Sequence, residues 1–200
     1  MIKYDFKQSH KDLYKARAGK IVEVTGDAGV YLAVDGKGEP GGAAFSLAIQ
    51  KIYSVAFTAK FALKAQGVVD FVVNPLETLW LVDDPQSTPL AEWGWTLLVR
   101  IPETVTSAHL TAIKKEINRK NGLDTAEVKR RKWKEGRAMQ TLHVGPYDKL
   151  GESYAKIAAH AQERGWTPQG PAHEVYLSDP RRTKPENLKT IVRLPIVKAK

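Results

Sequence analysis

The chain has 200 residues, of which 42% are hydrophobic and 26% are charged, and it contains no cysteine. This composition is typical of a soluble globular protein with a substantial core, and it excludes disulfides, thiolate metal sites and a cysteine nucleophile. The N-terminal stretch is charged throughout and no run approaches the roughly 18 apolar residues of a membrane span, so we expect a cytoplasmic protein without a membrane partner.

The basic charge of the chain raises the question of a nucleic-acid partner. The formal net charge is +9, but the basic residues are spread along the sequence except at residues 129–134, where they surround Trp133. No nucleic-acid-binding motif accompanies this cluster. A solvated helix or edge strand rich in lysine is therefore favoured, and we expect no nucleic-acid partner despite the charge.

The spacing of apolar residues predicts a mixed chain of strands and helices. Strands are predicted at 20–25, 30–35, 70–74, 76–83, 93–101, 137–144, 172–179 and 188–197. Helices are predicted at 42–65, around 110–117 and around 154–161. Residues 26–29, which include two glycines, are interpreted as a break between the first two strands. Residues 124–134 stay ambiguous, because Asp124 and Glu127 fit a capping box while the charges equally suit an edge strand.

An internal repeat is the most informative feature of the sequence. The pentapeptide LVRIP at 98–102 recurs as IVRLP at 191–195. Before these stand two segments that end in Asp-Pro, at 81–85 and 176–180. Because the matching pairs occur in the same order, each copy is predicted as strand, helix, strand, strand.

The repeat predicts the architecture. We expect an α+β protein, a single domain over residues 1–200, with copies at about 20–104 and 135–198 joined by a helical or polar connector at 105–134. Tandem β-α-β-β modules can join into one curved antiparallel sheet with both helices on one face. The other face would then form a ligand cleft.

The strand at 172–179 carries the leading candidate for a functional residue. Its alternation places Glu174 and Tyr176 on one face, with His173 and Val175 on the other. If the two Asp-Pro turns are aligned, the offset between the copies is odd. This predicts that Glu77 faces the same cleft as Glu174, unless a β-bulge reverses the alternation.

These residues carry a resemblance to a known family. Residues 174–177, EVYL, resemble the hallmark strand of GyrI-like small-molecule-binding proteins. The stand-alone subgroup of cyclopropanoid cyclopropyl hydrolases is similar over nearly the whole chain, in DGKGEP at 35–40, PLE at 75–77, HVGPYD at 143–148 and HEVYLSDPRR at 173–182.

The resemblance implies a pseudo-twofold cleft with a central glutamate, which Glu174 matches. It also implies aromatic ligands, and in the stand-alone subgroup the addition of water to the strained ring of DNA-alkylating natural products. Other relatives are effector domains of multidrug-responsive regulators. The chain departs from the family at Trp80-Leu81, where a tryptophan pair often follows the glutamate of the first copy.

Two hypotheses follow. In the first, the protein is a hydrolase in which Glu174 or Glu77 activates water. The catalytic donor to the substrate carbonyl is Tyr176, with Tyr147 and Tyr53 as the alternatives. Aromatic side chains would bind the planar substrate, and whether the tryptophans among them line the cleft or the core stays open. The predicted ligand-binding residues are Tyr53, Trp80, Trp95, Trp133 and Tyr147.

The alternative is a non-catalytic protein that binds, sequesters or senses cationic, amphipathic aromatic compounds through the same glutamate and rings. The glycines at 36–41 fit a dinucleotide-binding pattern only weakly, and the five histidines lack metal-ligand spacing. We therefore expect no cofactor and no metal, an aromatic or amphipathic small molecule as the partner, and a monomer or homodimer.

Overall fold

A computed structural model describes residues 3–199 of the chain. The elements in chain order are β1 (Lys3–Tyr4), α1 (Phe6–Ser9), α2 (Lys11–Tyr14), β2 (Val22–Lys37), α3 (Ala43–Ala65), β3 (Asp70–Phe71), β4 (Glu77–Leu81), β5 (Gly94–Ile101), α4 (Ser107–Asn121), β6 (Lys129–Val144), α5 (Leu150–Glu163), β7 (Trp166–Pro168), β8 (Ala172–Tyr176) and β9 (Lys189–Lys198). The predicted α+β class is confirmed.

The described chain divides into two compact units, each assembled from three segments. The first unit contains residues 3–6, 28–74 and 80–133, and the second contains residues 7–27, 75–79 and 134–199. Neither unit is a continuous stretch of sequence, because β2, β4 and β6 each pass from one unit into the other.

In the first unit, β2 and β5 pair antiparallel, with Val30 opposite Ile101 and Lys37 opposite Gly94. The helix α3 packs against β5 and α4. Its apolar stripe, which recurs every three or four residues, is fully buried at Ile52 and Ala56. Burial of this stripe fixes the face that α3 turns towards the sheet.

In the second unit, β9 is the central strand and pairs antiparallel with β6, β7 and β8. The helix α5 packs against β9 and β7. Its Ile157 lies in a core cluster with Met139 of β6 and Val192 of β9. One face of these strands is therefore the face that α5 covers.

The structure corrects one predicted break and decides one open alternative. Residues 26–29 do not break the chain, since β2 runs continuously from Val22 to Lys37. A Cβ atom at Gly29 would lie 2.9 Å from the Tyr31 ring, so this glycine permits a close approach rather than a turn. The ambiguous segment 124–134 contains the start of β6, which is a strand of 16 residues.

Candidate functional site

The strand register places Glu174 and Tyr176 on the face that α5 covers. Glu174 lies opposite Val192, a member of the α5 core cluster, and Tyr176 lies opposite Thr190. Side chains directly opposite on neighbouring strands share a face. Glu174 is therefore aimed towards the helix. The expectation that it lies on the open sheet face, opposite the helices, is wrong.

The Glu174 carboxylate is buried, with 4% of the residue exposed, and two tyrosines donate to it. The Tyr154 hydroxyl on α5 donates to Oε1 at 2.8 Å, and the Tyr176 hydroxyl donates to Oε2 at 2.6 Å. The Tyr176 bond has the short length typical of hydrogen bonds to a charged acceptor, and the Tyr154 bond has an ordinary length. The carboxylate is thus held in one orientation by a helix residue and a strand residue.

A third tyrosine connects this carboxylate with the surface. The Tyr147 ring lies 5.7 Å from the Tyr176 ring in an edge-to-face arrangement, and 39% of Tyr147 is exposed. Tyr147 precedes α5 in a short 3₁₀ helix at Tyr147–Lys149. We call Glu174, Tyr147, Tyr154 and Tyr176 the Glu174 site.

The electrostatics keep the tyrosines of the Glu174 site protonated. Burial, followed by the charge of Glu174 and the hydrogen bond to it, raises the pKa of Tyr154 and of Tyr176 well above the ordinary value. Burial also raises the pKa of Tyr147, with further contributions from the negative charges of Glu174 and Asp179. The site therefore combines an anionic acceptor with hydroxyl groups that can donate hydrogen bonds at neutral pH.

Glu77 does not lie in this site, so the expectation that it shares a face with Glu174 is wrong. Its Oε2 lies 3.0 Å from Nε2 of His173, and its Oε1 accepts from the Tyr14 hydroxyl at 2.8 Å. His173 immediately precedes Glu174 on β8, so its side chain leaves the opposite face. Glu77 therefore lies apart from the tyrosines that bind Glu174, and a catalytic role for it stays a prediction.

The physical reason is a difference of one residue between the two copies. Trp80 of β4 stacks on Phe45 of α3, so in β4 the even-numbered positions face the helix. Glu174 of β8 contacts Tyr154 of α5, so in β8 the even-numbered positions face the helix as well. The correct offset between the strands is therefore even, and alignment of the Asp-Pro turns is in error by one residue.

Glu77 instead belongs to a buried network of charges. His173 contacts Glu135 through Nδ1 at 2.8 Å, and Glu135 pairs with Arg193. Arg193 also donates to Gln140 at 2.9 Å. Burial favours the neutral form of Glu135, but the positive charges of His173 and Arg193 outweigh it and lower the pKa of Glu135 to about 2.

The remaining predicted ligand-binding residues belong to the first unit. Trp80 and Trp95 are buried and pack on the ring of Phe45, with centroid distances of 5.6 and 5.2 Å. Tyr53 lies beside a phenylalanine of the next helical turn, and Trp133 lies edge-on to a tyrosine of β2. That any of the four contacts a ligand stays a prediction.

Sequence reasoning missed the role of Tyr154. It was visible only as one of the residues that predict the helix around 154–161. Tyr154 is half-buried, adjoins the buried Ser153, and donates a hydrogen bond from α5 to Glu174. A tyrosine at the margin of an apolar stripe, where a hydroxyl needs a partner, was the signal available.

Within residues 3–199, no group of three or more histidine, aspartate or glutamate side chains is arranged to hold a metal ion. No helix in the same part of the chain is long and apolar enough to cross a membrane.

Comparison with known proteins finds a family that matches most of the chain. The model of the GyrI-like small molecule binding domain matches residues 30–197. An uncharacterized conserved protein from Listeria innocua is 34% identical, with a TM-score of 0.90, and the match covers 98% of this chain and 100% of that one. A protein described as a hydrolase from the same organism is 34% identical, with a TM-score of 0.87 and the same coverage.

More distant similarity concerns the fold alone. The C-terminal domain of EcmrR is 13% identical with a TM-score of 0.57, and the match covers 90% of this chain and 98% of that domain. A search of curated proteins finds no match to the sequence.

Proposed function

The chain belongs to the GyrI-like small-molecule-binding family, and we propose that it detoxifies aromatic DNA-alkylating natural products by hydrolysing their cyclopropane ring. The observation that carries this proposal is the buried Glu174 carboxylate, oriented by Tyr154 and Tyr176 beside the partly exposed Tyr147. The similarity to Listeria proteins described as hydrolases, over the full length of those chains, supports a hydrolytic reaction.

In the proposed reaction Glu174 is the general base. Water forms a bond to the unsubstituted cyclopropane carbon while one of its protons passes to the carboxylate. The carbon–carbon bond of the ring breaks, and its electron pair moves through the conjugated system to the carbonyl oxygen. That oxygen then takes up a proton, and Glu174 releases to solvent the proton it accepted. The product therefore differs from the substrate by one water and the carboxylate is regenerated.

The tyrosines have separate roles in this scheme. Tyr154 and Tyr176 fix the carboxylate, so that it need not reorganise when it accepts the proton. Tyr147, at the exposed edge, stacks against the planar substrate and donates to the carbonyl oxygen that gains charge. Its raised pKa keeps this hydroxyl protonated at neutral pH.

The proposal predicts that Glu174→Gln loses activity and keeps its fold, since glutamine preserves the shape but cannot accept the proton. We expect a fall in turnover of about 10² to 10⁴-fold, the usual contribution of a general base. The measurement is a mass-spectrometric time course with a spirocyclopropyl cyclohexadienone of the duocarmycin class. Undiminished hydrolysis by Glu174→Gln would remove Glu174 from the mechanism.

The matched control is Glu163→Gln. This residue is exposed at the end of α5, in the same unit as the Glu174 site. We expect it to form the hydrated product at the rate of the unmutated protein. Equal losses in both variants would point to a general effect of charge.

A non-catalytic binding protein is the second candidate, favoured by the same carboxylate among tyrosine rings. Such a site holds an aromatic cation by charge pairing and by cation–π contact. Rhodamine 6G, a fluorescent aromatic cation, serves as the probe. Saturable binding that is lost in Glu174→Gln, with the cyclopropane compound recovered intact, would favour this function over hydrolysis.

A further inference from the structure

His143 is a buried histidine that the proposed reaction does not use. It lies near the end of β6, opposite Thr190 of β9, which in turn lies opposite Tyr176 of β8. The three residues form a row across three strands and share one face. His143 therefore lies on the same side of the strands as the Glu174 site.

Both ring nitrogens of His143 have partners. Nε2 lies 3.2 Å from the carbonyl oxygen of Pro146, which can only accept, so Nε2 carries a proton and donates. Nδ1 lies 3.0 Å from the Ser153 hydroxyl. In the neutral ring, Nδ1 accepts from that hydroxyl, which assigns the tautomer.

The two partners adjoin two tyrosines of the Glu174 site. Pro146 immediately precedes Tyr147, and Ser153 immediately precedes Tyr154. The His143 imidazole thus connects the loop that carries Tyr147 with the helix that carries Tyr154. Residues that orient a functional side chain commonly act through hydrogen bonds of this kind.

The backbone between His143 and Pro146 is shaped to permit this contact. Gly145 has φ = +142°, a conformation that other residues rarely adopt. A Cβ atom there would lie 3.2 Å from Nε2 of His143. The Gly145 amide donates to the Leu188 carbonyl at 3.0 Å, which ties the same loop to the segment before β9.

We propose that His143 is a positioning residue that sets Tyr147 and Tyr154 relative to Glu174, a role that rests on the proposed function of that site. It touches no substrate. It acts through the Pro146 carbonyl on Tyr147 and through the Ser153 hydroxyl on Tyr154. The two hydrogen bonds can be removed separately, so the effect on Tyr147 and the effect on Tyr154 can be distinguished.

Three substitutions of His143 separate the effects of its two hydrogen bonds. His143→Gln retains a donor near the place of Nε2 and keeps the bond to Pro146. His143→Asn retains an acceptor near the place of Nδ1 and keeps the bond to Ser153. His143→Leu loses both, and we expect its kcat/KM for the spirocyclopropyl compound to fall on the order of 10²-fold, the effect of a displacement of about 1 Å.

A spectroscopic signature decides the proposal independently of turnover. The ionisation of Tyr147 is isolated as the difference between the ultraviolet titration of each variant and that of the same variant with Tyr147→Phe. Burial raises the pKa of Tyr147, and the negative charges of Glu174 and Asp179 raise it further. We expect this pKa to stay raised in His143→Gln and to fall towards about 10 in His143→Asn and His143→Leu.

An unchanged titration of Tyr147 in folded His143→Asn would overturn the proposal. If His143→Leu does not fold, the comparison of His143→Gln with His143→Asn still decides it, because a merely structural histidine would affect both alike. A protein that hydrolyses no spirocyclopropyl compound would refute the proposed function and leave the titration readable. The two failures are thereby distinguishable.

Discussion

His173 and Glu174 are neighbours in sequence with opposite surroundings. His173 is fully buried between the carboxylates of Glu77 and Glu135, whereas Glu174 accepts hydrogen bonds from two tyrosine hydroxyls. A strand sends consecutive side chains to opposite faces, so one short segment contributes to an ion-pair network on one side and to the Glu174 site on the other. The ion pairs with Glu77 and Glu135 compensate for the burial of His173. The hydrogen bonds from two tyrosines compensate for the burial of Glu174.

The charges around His173 predict a dependence of stability on pH. Burial alone would lower the pKa of His173, but the Glu135 and Glu77 carboxylates outweigh it, so the pKa is raised. The folded pKa is therefore above the unfolded value of about 6.5. The stabilisation is complete below about pH 6.5 and is lost as the pH rises through the folded pKa.

We expect His173→Gln to lower the free energy of unfolding by about 3–5 kcal/mol near pH 6, because it removes the cation that lies between the buried Glu77 and Glu135 carboxylates. The difference from the unmutated protein should shrink as the pH rises. Urea unfolding at a series of pH values measures it, with His160→Gln on α5 as the control outside the network. A difference that is constant from pH 6 to pH 9 would contradict the raised pKa.

At the scale of the element, the glycines of β2 lie within a continuous strand and do not form a turn. β2 continues through Gly26, Gly29 and Gly36. At Gly36 a Cβ atom would fall within the van der Waals surface of the Trp95 ring, so the absence of a side chain lets the indole pack directly on the strand. Glycine in this strand allows a neighbouring ring to approach the backbone closely. The presence of glycine in the sequence does not by itself distinguish this role from a turn.

Gly36→Ala is therefore expected to destabilise the protein by about 1–3 kcal/mol, the usual cost of overpacking a core. The control is Gly151→Ala in α5, where an added Cβ meets no atom within 4 Å. In a helix this second change should be neutral or stabilising by up to about 1 kcal/mol. Urea unfolding, with near-ultraviolet circular dichroism of the tryptophans, measures both. Equal stabilities of the two variants would show that Trp95 does not pack on Gly36.

At the scale of the whole molecule, the two compact units are interleaved along the chain. β2, β4 and β6 each supply residues to both units, so loss of either unit removes parts of strands from the other. We therefore expect a single cooperative unfolding transition. If each unit were one continuous segment of the chain, we would not expect a single transition on this ground.

The tryptophans allow this to be measured. Trp80, Trp93, Trp95 and Trp133 belong to the first unit, and Trp166 belongs to the second. In Trp166→Phe the fluorescence reports on the first unit, while far-ultraviolet circular dichroism reports on both. We expect the two urea transitions to coincide. A fluorescence midpoint displaced from that of the circular dichroism would show that the units unfold separately.

Several features of this protein follow from the sequence alone. The α+β class and the antiparallel strands were predictable, because alternation, helical periodicity and the repeated LVRIP and IVRLP segments are local patterns. Tyr147 and Tyr176 were named as candidates from the segments HVGPYD and EVYL, and the structure brings both next to Glu174.

Only the tertiary structure decided which distant residues meet. Glu77 was assigned to the wrong face because a shift of one residue between two strands moves every side chain to the opposite side, and no local pattern records that shift. Tyr154 entered the site through the rotation of α5 on β9, which is set by the burial of Met139, Ile157 and Val192. Residues that act chemically on their own strand can be found from sequence, whereas partners supplied by another element depend on register and packing.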